Sequence, residues 1–187
     1  MKTLRIFFIC SIAMLLVSCT SVLPPLISWA HFSPPVAQSF KIDTNTAVVY
    51  GRFVTGPNFA FGNELALRLR NDNSKQEYLI QFKDKDSVYG ISVEPGQYRV
   101  AGFVATFVDR RTVGRRTFLN TVPFEVRSNS ATYFGDFIGY VKINGLNQEW
   151  SVTKVTNNFS GTTDEFRHKY PNLASTSVVS VFGQQSK

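Results

Sequence analysis

A length of 187 residues, 43% of them hydrophobic, suffices for one sizeable core and argues against several domains. The formal charge of +7 falls to +5 if Lys2 and Arg5 are removed, an excess that suits a surface near anionic headgroups and an ordinary basic protein equally, so it assigns no partner. Cys10 and Cys19 are the two cysteines, so beyond position 19 neither a disulfide framework nor a cysteine metal site can exist, and stability there must come from apolar burial.

Residues 1–18 have the form of an export signal: Lys2 and Arg5 lead into an almost wholly apolar run, Ile6 to Val17, followed by the small residue Ser18. About 12 apolar residues fall short of the roughly 20 that span a bilayer as a helix. The stretch Leu16-Val17-Ser18-Cys19 resembles the lipobox of bacterial lipoproteins. That resemblance implies cleavage after Ser18, a diacylglyceryl thioether on Cys19 and acylation of the new amino terminus. The alternative is an ordinary signal peptide that happens to hold a cysteine near its end. Acyl chains contribute about 0.8 kcal/mol per buried methylene, and two or three make attachment effectively permanent. Thr20 rather than Asp follows the cysteine, which by the same resemblance implies the outer membrane, periplasmic side, if the host is Gram-negative.

From 19 to 45 the chain has the composition of a spacer. It carries no charge until Lys41 and holds Pro24-Pro25 and Pro34-Pro35, which favour stiff, extended geometry. Leu23, Leu26, Ile27, Trp29, Phe32 and Phe40 are too apolar for a solvated leash, so part of the spacer is expected along a lipid interface or against the folded domain.

Residues 46–187 are expected to form one domain built on period-two patterning. Ala47 to Thr55 is a strand interrupted by Gly51, and a turn follows at Gly56-Pro57-Asn58. Leu65, Leu67 and Leu69 alternate with Ala66, Arg68 and Arg70, predicting one buried and one solvated face. Tyr78, Ile80 and Phe82 alternate likewise, as do Tyr89, Ile91 and Val93, before Glu94-Pro95-Gly96-Gln97 predicts a type II turn. Tyr98 to Val108 is apolar on both faces, the pattern of a central strand covered on both sides. Phe118, Val122, Phe124 and Val126 extend the alternation, provided Pro123 sits where no ladder amide is required. Ala131 to Ile143 contains Gly135 and Gly139 and predicts a bulged or bent strand, and Gln148 to Val155 predicts another with Trp150 as an anchor. Such a series predicts a mainly β chain, a single antiparallel β-sandwich.

One short C-terminal helix is expected near 162–170. Thr162-Thr163-Asp164-Glu165 matches a capping box, Arg167, His168 and Lys169 suit the negative end, and Pro171 stops the helix. So short a helix needs packing through Phe166 and Tyr170 to persist. Ser175 to Phe182 is expected to return as a last strand before a polar tail.

The run Val93-Glu94-Pro95-Gly96-Gln97-Tyr98-Arg99-Val100 resembles the turn and following strand of transthyretin-like (prealbumin-like) carboxypeptidase-regulatory domains. Tyr133-Phe134-Gly135-Asp136, followed by a short helix and Tyr170-Pro171, resembles small bacterial lipoproteins of uncharacterised function with the same sandwich. The likeness covers 46–145 for the fold and the rest more loosely. It rests on turn chemistry, so it implies an architecture and no catalytic residues.

Chemistry-bearing residues are sparse. His31 and His168 are not spaced as metal ligands or as a base beside a nucleophile, and nothing calls for a cofactor. Asp84 and Asp86 flank Lys85 in a turn with too few carboxylates for calcium. The sharpest candidate is Asp109-Arg110-Arg111-Thr112-Val113-Gly114-Arg115-Arg116, where Arg110, Arg111, Arg115 and Arg116 at one loop tip could fork onto carboxylate or phosphate and so bind anionic headgroups, an anionic envelope polymer of the cell wall or an acidic partner; a solvated hairpin end explains the same charges. Three readings compete: a lipid-anchored envelope module, structural or binding a protein; a carrier or sensor of a small apolar ligand, suggested by 17 phenylalanines; and an enzyme, which would need a cleft converging on Asp136, His168 and an arginine. Membrane through Cys19 and an envelope protein are the expected partners, and export makes nucleic acid the poorest.

Overall fold

In-register pairing turns the alternating segments into strands, and two sheets bury their apolar faces against each other. A computed structural model describes residues 32–56, 64–83, 88–106, 113–117, 121–144, 147–154 and 157–181. Its strands are β1 (Ala47–Thr55), β2 (Glu64–Asn71), β3 (Glu77–Gln81), β4 (Val88–Val93), β5 (Gly96–Thr106), β6 (Val113–Thr117), β7 (Phe124–Val126), β8 (Ser130–Asn144), β9 (Asn147–Lys154) and β10 (Ser177–Ser180). Helix α1 (Phe159–Lys169) and a 3-10 turn (Pro171–Leu173) precede β10. The expected β-sandwich with a C-terminal helix is what forms.

Sheet A runs β10-β8-β1-β4, with β9 also on β8; sheet B runs β3-β2-β5-β6, with β7 also on β5. Every pair in sheet B is antiparallel. Sheet A departs from the expected antiparallel arrangement: β8 lies parallel to β1 and to β10, because each of these pairs is joined through intervening elements rather than by a hairpin. Between the sheets, Phe53 sits at the centre of an aromatic cluster, with ring centroids 5.1 Å from Tyr89, 5.4 Å from Phe134 and 5.9 Å from Phe137. Leu65, Leu67, Leu69, Ile80, Ile91 and Tyr98 complete this core, all buried.

Residues 32–45 run along the side of the sandwich where β3 and β4 form the edges. The Ser33 amide donates to the Leu79 carbonyl at 2.8 Å, and the Val36 amide donates to the Gly90 carbonyl at 2.9 Å. Val36 is buried, and Phe40 and Ile42 pack against the core. These residues belong to the same compact unit as the sandwich, which begins at Phe32.

Two bulges change the phase of the alternation. In β5, Arg68 faces Gly102 while Leu69 faces Val100, so Ala101 is an extra residue. The bulge brings Val100 and Phe103, three apart, to one face, so the apolar run of β5 reflects a change of phase as well as a central position. In β8, Tyr50 faces Tyr133 while Gly51 faces Gly135, so Phe134 is extra, as the glycines there predict. Gly135 adopts a φ of +134°, and a Cβ on Gly51 would lie 2.1 Å from the Gly135 carbonyl oxygen, so this crossing requires glycine on both strands.

Several local expectations need correction. The β2 face expected to be solvated is covered: Ala66 and Arg68 are buried, and Arg68 pairs with Glu77 at 2.5 Å. Gly96 takes a φ of +157° and already belongs to β5, so the chain reverses without the φ near +80° of a type II turn. Val122 is 62% exposed, because β7 begins only after Pro123; the alternation holds for Phe124 and Val126, and Phe118 lies outside the described residues.

Candidate functional site

The outer face of sheet A, under α1, is where polar chemistry collects. The β8 bulge creates it. Tyr133 and Asp136 are three residues apart and would point to opposite faces of a regular strand. The extra residue restores the phase, and Tyr50, Tyr133, Arg52 and Asp136 come to share a face, since Tyr50 pairs with Tyr133 and Arg52 with Asp136. Phe134 and Phe137 meanwhile reach the aromatic core.

Helix α1 closes over this face. It begins at Phe159, with Asn158 at the N-cap making no side-chain capping bond, so the expected capping box does not form. Thr162 and Thr163 lie inside the helix and turn their hydroxyls to the sheet instead. Phe166 stacks on Tyr50 with centroids 4.1 Å apart, and Tyr170 and Leu173 are buried behind it. The helix comes this close because β4 offers Gly90: a Cβ there would meet Val48 Cγ1 at 2.6 Å and the Phe166 ring at 3.1 Å.

Asp136 is only 6% exposed. Thr162 Oγ1 donates to its carboxylate, 2.9 Å from Oδ2 and 3.1 Å from Oδ1, and Tyr133 donates to Oδ1 at 3.0 Å. The Tyr133 oxygen in turn accepts the Asn158 amide at 3.3 Å. Arg52 Nε lies 3.8 Å from Oδ2, and Arg52 Nη2 reaches Glu165 at 2.5 Å, on the exposed side of the helix. Next to this group, the Tyr50 and Thr163 hydroxyls are 2.7 Å apart. Burial raises the Asp136 carboxyl above the ordinary carboxylate value, against the hydrogen bonds from Thr162 and Tyr133 and the attraction of Arg52. Burial likewise pushes the Tyr50 phenol up to about 12 and raises that of Tyr133, the latter aided by neighbouring Asp136.

Above the cluster, α1 and β10 frame a hollow of about 310 Å³, lined by Phe159, Ser160, Thr163, Asp164, Arg167 and Val178. Ser160, Thr163, Asp164 and Arg167 follow the i, i+3, i+4, i+7 spacing of one helix face. Thr163, held by Tyr50, is buried at its base, whereas Ser160, Asp164 and Arg167 are exposed.

Of the residues singled out from sequence, Asp136 does meet an arginine, Arg52. His168 is exposed in the last turn of α1 and shares no hydrogen bond or ion pair with Asp136 among the described residues. Cys19, Arg110, Arg111, His31, Asp84 and Asp86 lie outside the described residues. Arg115 and Arg116 fall within β6 rather than at a loop tip, opposite Val104 and Phe103 respectively, so by register they belong to opposite faces of sheet B. Among the described residues no group of three or more His, Cys, Asp and Glu could hold a metal ion. Arg52, Tyr50 and the inward role of Thr162 and Thr163 were missed. A tyrosine and an arginine at alternating positions of an otherwise apolar strand were the available signal, and it indicated a second buried layer rather than solvent.

Comparison with known proteins returns no matching family model and no matching curated protein.

Proposed function

We propose that the chain is a lipid-anchored envelope protein whose β-sandwich serves as a structural or protein-binding module and not as a catalyst. The observation that carries this reading is Leu16-Val17-Ser18-Cys19 at the end of an apolar run too short to span a bilayer. Among the described residues no helix is long and apolar enough to cross a membrane. The transthyretin-like resemblance is part of the same reading.

The site chemistry supports binding over catalysis. The polar atoms around Asp136 are engaged with one another, which leaves the carboxylate no open side from which to move a substrate proton. The cluster fixes α1 to sheet A. As for a carrier of small apolar ligands, the phenylalanines counted in its favour include Phe53, Phe82, Phe134 and Phe137, which contact other rings instead of lining a void.

Radiolabelled fatty acid incorporation and membrane fractionation of the Cys19→Ser form test the anchor. The expected result is loss of label, failure to mature at Ser18 and release from the membrane fraction. A Cys19→Ser protein that matures and sediments with membranes as the native chain does would remove the reading.

A further inference from the structure

The hollow between α1 and β10 gathers two apolar walls, two opposite charges and a buried hydroxyl. Phe159 and Val178 are the walls, both half-buried and packed against the core. Phe159 is held in turn by Tyr133, with ring centroids 5.5 Å apart. Thr163 closes the base; it is 6% exposed, and among the described residues its hydroxyl meets only that of Tyr50. Two hydroxyls that share one hydrogen bond keep one O–H between them unused, and here that donor lies at the floor of the hollow.

The charges at the rim balance. Asp164 and Arg167 line the hollow and are exposed, and among the described residues neither makes a hydrogen bond or an ion pair. Three positions apart on a helix, they are neighbours, and an exposed pair at this spacing is weak enough for a ligand to displace. Arg167 also acts electrostatically on the Tyr50 phenol, so its charge lies near the floor. The adjoining charges are taken elsewhere: Glu165 by Arg52, and Lys169 by the Val88 carbonyl on β4. A ligand of one sign would meet repulsion beside its attraction, whereas a dipolar one would use both groups.

We infer that the hollow binds a free α-amino acid with an aliphatic side chain, its carboxylate on Arg167, its ammonium on Asp164 and its side chain between Phe159 and Val178. Both charges of such a zwitterion hang from one carbon, which matches two opposite charges one helical turn apart. The unused hydroxyl donor at the floor adds a hydrogen bond to the carboxylate. Ring and hydroxyl are held by the sandwich before anything arrives, so little order is lost on binding. The site goes beyond the proposed role as an envelope module and does not depend on the anchor.

Titration of the purified mature chain with L-leucine, followed by amide NMR shifts, tests the inference. The expected outcome is saturable shifts confined to 159–167 and 177–180, with a dissociation constant on the order of millimolar for so small a ligand on an open site. Leucinamide, which lacks the carboxylate, and N-acetyl-leucine, which lacks the ammonium, are each expected to bind at least fivefold more weakly. Arg167→Gln is expected to abolish the preference for leucine over leucinamide, and Asp164→Asn the preference over N-acetyl-leucine. Ser160→Trp, which fills the hollow from an exposed position, is expected to abolish the shifts. All three positions are exposed, and unchanged amide spectra of sheet B verify that the variants are folded. Absence of saturable shifts, shifts centred elsewhere, blocked analogues that bind as well as leucine, or preferences that survive both charge substitutions would each overturn it. None of these outcomes bears on Cys19→Ser fractionation, so failure of the hollow and failure of the anchor are distinguishable.

Discussion

Asp136 and Asp72 are two carboxylates with opposite electrostatic histories. Asp72 lies in the β2–β3 turn and accepts a two-pronged bond from Arg99, at 2.6 Å for each oxygen, which holds its carboxyl below the ordinary value. Asp136 is raised by burial. A carboxyl raised on folding binds its proton more tightly in the native state, so stability falls as pH rises from the unfolded value through the folded one. A carboxyl lowered on folding contributes stability above the unfolded value and loses it as pH drops through the folded one. Urea unfolding between pH 3.5 and 7 is therefore expected to show opposite trends. The stability gap between the native chain and Asp136→Asn shrinks as pH rises, while the gap to Asp72→Asn widens. Gaps that move in the same direction would contradict these assignments. Tyr133→Phe leaves the carboxylate one donor short and the Asn158 amide without its acceptor, a loss of about 1–3 kcal/mol by the same measurement.

Among the elements, α1 shows most clearly how far the sequence could be followed. Its existence, its basic last turn and the burial of Phe166 and Tyr170 were legible, because helix ends and apolar spacing are local signals. Its start was not: Thr162 and Glu165 satisfy the capping pattern, but the Thr162 hydroxyl found a buried carboxylate 26 residues away, a partner no local rule can supply. The strands divide in the same manner. The bounds of β1 follow from its own residues, whereas the parallel β1–β8 pairing depends on tertiary assembly. Arg68 was misplaced because a charged residue alternating with leucines normally marks water, and here it marks a buried ion pair. Two substitutions test how the helix docks. Gly90→Ala forces a methyl between Val48 and Phe166 and is expected to cost about 1–3 kcal/mol. Phe166→Ala removes the ring stacked on Tyr50 and is expected to cost about 3–5 kcal/mol. In both variants amide exchange is expected to accelerate in 159–169 before it does in β2 and β5, since these strands belong to sheet B and the helix packs on sheet A. Uniform acceleration would mean that helix and sandwich open together.

For the whole molecule, the folded boundary lies earlier than the β pattern alone indicates. Two proline pairs and the absence of charge before Lys41 mark 19–45 as spacer, yet Val36 is buried and its amide and that of Ser33 bond to β4 and β3. That part of the segment could pack on the domain was legible in residues such as Phe40, too apolar for a solvated leash; its route was not, because it has no periodicity of its own and takes its order from the two edges it crosses. A chain beginning at residue 46 is accordingly expected to be less stable than one beginning at 32, by about 2 kcal/mol for the valine alone. Equal melting temperatures for the two would show that the segment contributes nothing.

The parallel pairing in sheet A has a kinetic consequence. Val48 cannot meet Ala131, nor Ser130 meet Ser177, until the later segment of each pair has been made, because a growing chain emerges amino end first. Until then β1 has β4 as its one neighbour in the sheet, and its other flank stays open to any passing extended segment. Refolding in the millisecond-to-second range, with aggregation that steepens as concentration rises, is the behaviour this wiring dictates.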